Sequence, residues 1–191
     1  LSTMPHLLIA GTTNSGKSVC IAAITMALVM NNHPDDLKLV MVDPKLVELK
    51  RFNGLPHLLG EVETDLDRIK GVLRWATTEM DNRYRLLEIA RARNLDSYNQ
   101  KMERAGKTKM PRVVIMIDEL ADLMMAAPDQ TEHSLVRLAQ MARATGIHLV
   151  IATQRPSTDI VTGLIITPDA RYYPVSIERF ISAVLEDEFG T

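Results

Sequence analysis

Residues 11–18, with the sequence Gly-Thr-Thr-Asn-Ser-Gly-Lys-Ser, place two glycines, a lysine and a serine at a characteristic spacing. This is the G-x-x-x-x-G-K-[ST] pattern of a phosphate-binding loop, or P-loop. Gly11 and Gly16 let successive backbone N–H groups curl around an anion, and the following helix adds its positively polarised N-terminus. Lys17 would reach the β and γ phosphates of ATP, and the Ser18 hydroxyl would bind Mg²⁺. The predicted phosphate-binding residues are Gly11, Thr12, Thr13, Asn14, Ser15, Gly16, Lys17 and Ser18.

A Gly/Ser-rich turn between a strand and a helix is the alternative interpretation. The flanking sequence favours the P-loop, because Leu7–Ala10 predicts a short strand before it and Val19–Met30 predicts an apolar helix after it. Cys20, the single cysteine, lies on this helix and is predicted to pack in the core. A single cysteine also excludes an intrachain disulfide.

Two acids follow another apolar strand, Arg112–Ile117, and form the Walker B pattern of nucleotide-hydrolysing proteins. Asp118 is predicted to hold Mg²⁺ through water, and Glu119 to orient and deprotonate the attacking water. A strand that simply runs into an acidic turn is the alternative.

Gln154 follows the predicted strand His148–Ala152, at the end where ligand-sensing side chains lie in a parallel sheet, and is a candidate contact of the γ-phosphate. A polar turn residue is the alternative there.

Strands alternate with helices along the chain, which predicts an α/β fold with a mostly parallel sheet flanked by helices. Leu37–Val42 is the remaining predicted strand. A capping box of Thr64 and Asp67 is predicted to begin a long helix that ends near Arg91, and a further helix is predicted over Glu132–Ala144. On the long helix, Trp75 is expected to be buried. The pairs Glu79 with Arg83 and Asp81 with Arg85 are expected on its solvent-facing side.

The chain has 191 residues and a net charge of −2, which fits one domain and excludes a generally basic nucleic-acid binder. The segment from Arg83 to Arg112, however, contains nine basic residues and only three acidic ones. This local excess is either a solvated surface or a surface for a polyanion. The five histidines lack metal-ligand spacing. No stretch is long and apolar enough to span a membrane and no signal peptide is evident, so we expect a soluble chain with any anchor outside it.

The chain resembles the motor domain of the FtsK/SpoIIIE DNA translocases, which have a RecA-like core. The resemblance covers about Met4 to Leu164 and rests on ordered sequence blocks. These blocks are Met4–Ser18, Asp43-Pro44-Lys45, Pro56–Leu59, Leu73–Trp75 with Glu79-Met80 and Arg83-Tyr84, Arg93–Leu95 with Tyr98-Asn99, Ile117–Met124, Ala142–Leu149 and Ala152–Ser157.

This resemblance implies an ATP-driven motor that forms a hexameric ring around double-stranded DNA and pumps it, in chromosome segregation at division or sporulation. A neighbouring subunit would supply an arginine to the γ-phosphate, and Arg143 is the candidate. Pore loops would contact DNA phosphates, with Ser157–Gly163 matching one loop and Arg91–Asn99 lying near another. The family also implies a cytoplasmic location at the inner face of the cell membrane, reached through regions outside this chain.

Three departures from the family pattern accompany the resemblance. Asn14 stands where the family usually has glycine, and nucleotide binding is expected to survive this change. The family's membrane, linker and winged-helix regions are absent from this sequence. After Ile165 the sequence matches the family's final strand region early, as if an internal stretch were missing, and Ser176–Phe189 is a possible closing helix.

We therefore predict a RecA-like P-loop core at residues 1–164 and a divergent segment at 165–191 that belongs to the same domain. Two alternatives to the DNA motor remain at this point. One is a truncated nucleotide-binding core that does not translocate DNA. The other is a related ring ATPase of protein secretion. The Arg-Asn-Leu and Thr-Gln-Arg-Pro-Ser blocks favour the DNA motor over this alternative.

Overall fold

A computed structural model describes residues 6–12, 15–46, 48–154 and 171–173, the last three by their backbone alone. Short 3₁₀ helices lie at Lys50–Phe52 and Ala142–Thr145. The strands and α-helices, in chain order, are β1 (His6–Ala10), α1 (Lys17–Asn31), β2 (Leu37–Val42), α2 (Leu66–Ile89), α3 (Leu95–Arg104), β3 (Arg112–Ile117), α4 (Leu120–Ala126), α5 (Pro128–Met141), β4 (Ile147–Thr153) and β5 (Arg171–Tyr173).

The described strands form one parallel sheet in the order β2-β3-β4-β1-β5. This arrangement confirms the predicted α/β class with a parallel sheet, and the four predicted strands are present at nearly the predicted positions. Strand β4 lies between β1 and β3, with Ile9 of β1 opposite Ala152 of β4. The strand after β1 in the sheet, β5, falls within the region predicted as the family's final strand. The predictions for Ser157–Gly163 and Ser176–Phe189 lie outside the described residues.

Helices cover both faces of the sheet, and alternate strand residues bury against each layer. Val113, Ile115 and Ile117 of β3 pack with α2 and α5, whereas Val114 and Met116 pack in the cluster that includes α1. Burial on both faces explains why these strands are almost continuously apolar. Cys20 is buried in the α1 cluster, as predicted.

Helix α2 begins one residue later than the predicted capping box requires. Its N-cap is Asp65, whose carboxylate accepts hydrogen bonds from the backbone N–H groups of Asp67 and Arg68 at 3.0 and 3.1 Å. The prediction that Thr64 caps the helix is therefore wrong. The N–H of Thr64 instead donates to the Glu63 carboxylate at 3.0 Å, which ties Thr64 to the preceding segment.

The predicted exposure of α2 side chains is also wrong at two positions. Arg83 is only 3% exposed, whereas Trp75, predicted to be buried, is 39% exposed. The Arg83 guanidinium donates to the carbonyls of Pro111 and Thr145 at 2.8 and 3.0 Å, and to Glu79 Oε1 at 2.8 Å. Arg83 thus satisfies backbone groups that precede β3 and β4, and this use of a buried charge is invisible to hydrophobic periodicity.

The second predicted pair on α2 does not form as expected. Asp81 accepts two hydrogen bonds from Arg137 of α5, at 2.8 and 3.0 Å, and Arg85 is exposed. The ion pair therefore joins two helices that cover the same face of the sheet instead of stabilising one helix.

Two helices were not predicted, and a third was predicted too short at its start. Helix α3 lies inside the segment Arg83–Arg112 with its excess of basic residues, which we call the basic connection. Helix α4 follows the Walker B acids directly. The helix predicted over Glu132–Ala144 begins at Pro128, because proline is well suited to the first turn. Its predicted last residues form the 3₁₀ turn Ala142–Thr145. Among the described residues, no helix is long and apolar enough to cross a membrane.

We expect Arg83→Met to lower the free energy of unfolding of this chain by about 3 kcal/mol, because it leaves two buried carbonyls and Glu79 without their charged donor. Urea-induced unfolding followed by circular dichroism measures the change. Arg85→Met, on the exposed side of the same helix, is the matched control and should stay within about 0.5 kcal/mol of the wild type. Equal stabilities of the two variants would contradict the structural role of Arg83.

Candidate nucleotide site

The carboxyl ends of β1, β3 and β4 bring the predicted P-loop and Walker B residues to one edge of the sheet. The P-loop follows β1, Asp118 and Glu119 follow β3, and Gln154 follows β4. The backbone N–H of Gly11 donates to the carbonyl of Thr153 at 3.2 Å, which joins the start of the P-loop to the end of β4. Ligands of open parallel sheets bind at this edge.

The start of α1 has the features of an anion site. Gly16 is its N-cap and has a φ of 85°, a left-handed conformation that favours glycine. No described side chain caps this helix, and its first turn carries no acid. Its first N–H groups and its positive end are thus available to an anion. Ser18 is the second residue of α1, whereas Thr13 and Asn14 lie outside the described residues.

Gly11 has a separate steric role in the same loop. A Cβ atom at this position would collide with the Ser15 hydroxyl oxygen. The N–H of Ser15 donates to the carbonyl of Thr12 at 3.1 Å, so Ser15 is held by the backbone of the turn. A side chain at residue 11 would therefore force the Ser15 hydroxyl to rotate away and would crowd the Ser15 Cβ, 3.2 Å from the added atom.

Lys17 connects the P-loop to both Walker B acids. Its ammonium group donates to the backbone carbonyl of Asp118 at 2.7 Å and lies 3.4 Å from Asp118 Oδ1 and 3.8 Å from Glu119 Oε2. The side chains of all three residues are at most 6% exposed. The predicted catalytic residues Lys17, Asp118 and Glu119 are thus in mutual contact.

Asp118 fits the prediction of a cation ligand. Burial raises the pKa of its carboxyl group, and the nearby Asp43 carboxylate adds to this effect while Lys17 opposes it. Its Oδ1 atom is buried and has no hydrogen-bond donor among the described residues. An ion or an ion-bound water would supply the missing partner. Asp118 and the Ser18 hydroxyl are the residues that would hold Mg²⁺.

Glu119 is held by donors on both of its carboxylate oxygens. Oε1 accepts from the Thr153 hydroxyl at 2.9 Å and from the N–H groups of Gln154 and Ala121 at 3.2 and 3.3 Å. Oε2 accepts from Lys45 Nζ at 3.2 Å and shares the Gln154 N–H, also at 3.2 Å. Burial alone would raise the pKa of Glu119, but the Thr153 and Gln154 hydrogen bonds and the two ammonium groups hold it below the usual value.

Thr153 and Lys45 are site residues to which the sequence assigned no role. Thr153 contacts both the P-loop and Glu119, because β4 lies between β1 and β3 in the sheet. Lys45 belongs to the Asp-Pro-Lys block that follows β2, the only sequence signal for it. Burial alone would lower the pKa of Lys45, but the carboxylates of Glu119 and Asp122 raise it.

Gln154 and Arg143 are placed very differently by the structure. The backbone of Gln154 touches Glu119, so this residue lies at the predicted site. Arg143 is exposed in the turn before β4, at the opposite end of that strand, and lines a cavity of about 430 Å³ with Arg93 and Arg112. The seven residues of β4 separate the two ends by about 20 Å. Arg143 therefore lies far from the phosphate end of its own chain.

The basic connection is only partly a free cationic surface. Arg83 is buried, Lys101 donates to the carbonyls of Ala90 and Arg91 at 2.8 Å, and Arg112 pairs with Asp96. Exposed basic residues with no ion pair within the described ranges remain around α3. These are Arg91, Arg93, Arg104 and Lys107.

Comparison with known proteins identifies the family. A sequence model of the FtsK/SpoIIIE family matches residues 1–158. The chain belongs to the FtsK/SpoIIIE family. This confirms the resemblance found in the sequence blocks.

Two curated relatives are DNA translocases named FtsK. The protein of Clostridium tetani is 55% identical over 166 residues, which are 86% of this chain and 22% of that protein. The protein of Campylobacter jejuni is 48% identical over 192 aligned positions, which cover 100% of this chain and 20% of that protein. The chain thus spans about a fifth of each relative.

Two solved structures share the fold of the chain. The cytoplasmic domain of the Thermomonospora curvata type VII secretion ATPase EccC superposes with a TM-score of 0.74 at 29% identity, covering 84% of this chain and 19% of that one. The pCW3 conjugation coupling protein TcpA, solved with ATPγS, gives a TM-score of 0.69 at 32% identity and covers 86% and 47%. The fold is therefore that of RecA-like P-loop ATPase domains.

We expect Gly11→Ala to weaken binding of ATPγS about tenfold, because the added Cβ collides with the Ser15 hydroxyl and crowds the Ser15 Cβ within the P-loop. Isothermal titration calorimetry with Mg²⁺ present measures the affinity. Gly60→Ala is the matched control, since a Cβ there meets nothing within 4 Å. If both variants bound ATPγS like the wild type, residues 11–18 would not be the phosphate site.

Proposed function

We propose that this chain is the ATP-hydrolysing motor domain of a double-stranded DNA translocase. One observation carries the proposal: Lys17 of a glycine-rich loop contacts the backbone of Asp118 and approaches the carboxylates of Asp118 and Glu119 at the ligand-binding edge of a parallel sheet. Membership in the FtsK/SpoIIIE family and curated relatives named DNA translocases support the choice of DNA as the partner.

The first step assigned to these residues is the binding of the ATP phosphates. The start of α1 and the Lys17 ammonium group neutralise their negative charge. Bound Mg²⁺, held by Ser18 and Asp118, would neutralise charge that develops on the transferred phosphoryl group. Because Lys17 contacts the Walker B acids in the described structure, ATP has to compete with them for its ammonium group.

Hydrolysis then requires a base that orients water. Glu119 is the candidate, because it is an ionised carboxylate next to Lys17 and is fixed by Thr153 and Gln154. Gln154 follows Thr153 directly, so a change in the position of Glu119 reaches the loop after β4 through its backbone N–H. We propose this connection as the route from the phosphate site to DNA-contacting residues.

DNA contacts are assigned to the exposed basic residues around α3. Arg91 and Arg93 lie in the segment predicted near a pore loop, and Arg104 and Lys107 lie at the other end of that helix. Flexible basic side chains suit phosphate contacts that do not depend on DNA sequence. Binding should accordingly weaken as salt rises.

A homo-oligomeric, hexameric ring completes the proposal. Arg143 is too far from the phosphate end of its own chain to act there, but it lies exposed on the surface of the chain. An arginine supplied across an interface stabilises charge on the transferred phosphoryl group. Position and exposure support this role for Arg143.

A secretion ATPase is the second candidate function, because EccC shares the fold at a TM-score of 0.74. The identity of 55% to a DNA translocase, against 29% to EccC, favours the DNA motor. The third possibility, a nucleotide-binding core without translocation, makes its own experimental prediction. It would bind ATP but would not respond to DNA.

We expect ATP hydrolysis by this chain to be stimulated at least about tenfold by long double-stranded DNA at low salt, and the stimulation to decline at moderate salt. A coupled assay of ADP release measures both rates. Nucleotide binding with a turnover unaffected by DNA would contradict the DNA motor and favour the nucleotide-binding core. Stimulation by a secreted peptide and not by DNA would favour the secretion ATPase.

We expect Glu119→Gln to leave ATP binding intact and to lower the hydrolysis rate at least about 100-fold, because the amide cannot accept the proton of the attacking water. Calorimetry with ATPγS and the ADP-release assay test the two parts separately. Glu132→Gln, on the exposed side of α5, is the matched control and should hydrolyse ATP at the wild-type rate. Turnover that persisted in Glu119→Gln would contradict the assignment of the base.

A further inference from the structure

We propose that Lys45 is a second phosphate-binding cation, which exchanges its contact with Glu119 for a contact with the terminal phosphate of ATP. This inference rests on the proposed nucleotide site and adds a residue to it. It also assigns an event to ATP binding: departure of Lys45 frees one acceptor position on the Glu119 carboxylate.

The position of Lys45 follows from the oxygen that it shares with Lys17. The Lys45 ammonium group lies 3.2 Å from Glu119 Oε2, and the Lys17 ammonium group lies 3.8 Å from the same atom. Two cations that flank one oxygen are close enough for a single phosphate group to reach both. A terminal phosphate placed at Lys17 therefore lies within reach of Lys45.

The two lysines differ in their freedom to move. The Lys17 side chain is 6% exposed and is bound to the Asp118 carbonyl at 2.7 Å. The Lys45 side chain is 38% exposed, and its other neighbour is Asp122 Oδ2 at 3.6 Å on the rim of the site. Lys45 can thus exchange one anionic partner for another with only a side-chain rotation.

The backbone that carries Lys45 is fixed even though its side chain is not. The buried Asp43 carboxylate accepts hydrogen bonds from the N–H groups of Lys45, Glu48 and Leu49 at 3.2, 2.9 and 2.9 Å. Next to Lys45, Leu46 has a φ of 62°, a conformation that non-glycine residues rarely adopt. A turn held in this way keeps Lys45 aimed at the end of β3.

The exchange has a chemical consequence for Glu119. Oε1 accepts from Thr153, Gln154 and Ala121, whereas Oε2 accepts from Lys45 and shares the Gln154 N–H with Oε1. The Lys45 ammonium group therefore takes one of the acceptor positions of Oε2. A terminal phosphate that draws Lys45 away frees this position for a water molecule at the moment when one is needed beside that phosphate. ADP, which lacks this phosphate, leaves the Lys45–Glu119 pair intact.

The test compares ATPγS with ADP in binding to Lys45→Met by titration calorimetry with Mg²⁺. We expect the variant to bind ATPγS about tenfold more weakly than the wild type, the usual effect of losing one charged contact to a phosphate, and to bind ADP within about twofold. Lys45→Arg should restore most of the discrimination between the two nucleotides, because it keeps a cation at this position. Lys70→Met, on the surface of α2, is the control and should change neither affinity.

A second pair of variants separates direct contact from an indirect effect through Glu119. In the Glu119→Gln background the carboxylate charge is gone, so a direct Lys45–phosphate contact still predicts that Lys45→Met weakens ATPγS binding about tenfold. If the weakening disappeared in that background, Lys45 would act only by neutralising Glu119 and the transfer would be refuted. Equal losses for ATPγS and ADP would refute it too.

The outcomes distinguish this inference from the proposed function. A wild-type chain that failed to bind ATPγS at all would contradict the nucleotide site itself. A wild-type chain that bound ATPγS, together with a Lys45→Met variant of the same affinity, would overturn only the role of Lys45.

Discussion

A buried ammonium group and two buried carboxylates meet where strands β1, β3 and β4 end. Lys17 reaches the Asp118 carbonyl at 2.7 Å, and its side chain is 6% exposed. Charges so far removed from water are costly unless they are paired, so these contacts constrain the P-loop relative to β3. On the proposed function, the ATP phosphates become further partners of the Lys17 ammonium group.

The order of strands determines which residues can take part. Because β4 lies between β1 and β3, Thr153 at its end contacts both Gly11 of the P-loop and Glu119. Strand β2 lies beyond β3, and the turn after it brings Lys45 to the far side of Glu119. The Glu119 carboxylate is therefore surrounded by groups that follow three other strands, and each of these groups is well placed to alter its position.

Sequence analysis predicted the parts of the site that depend on neighbouring residues. The P-loop and the pair Asp118-Glu119 are local patterns, each bounded by an apolar strand, and the structure joins them. The sequence did not identify Thr153 and Lys45 as site residues, because their contacts depend on which strands are adjacent in the sheet. Arg83 was assigned to the solvent side of α2 for a similar reason, since the carbonyls it binds come from residues 28 and 62 positions away. Periodicity also failed for Trp75, which lies at the margin of the apolar stripe and is 39% exposed.

The central claim is that phosphate binding depends on Lys17, and calorimetry of Mg²⁺-ATPγS binding to Lys17→Met tests it most directly. Lys107→Met is the control for loss of an exposed positive charge, and urea unfolding verifies that both variants are folded. We predict that the control binds like the wild type and that Lys17→Met loses at least about 100-fold in affinity. Wild-type affinity in a folded Lys17→Met variant would contradict the account.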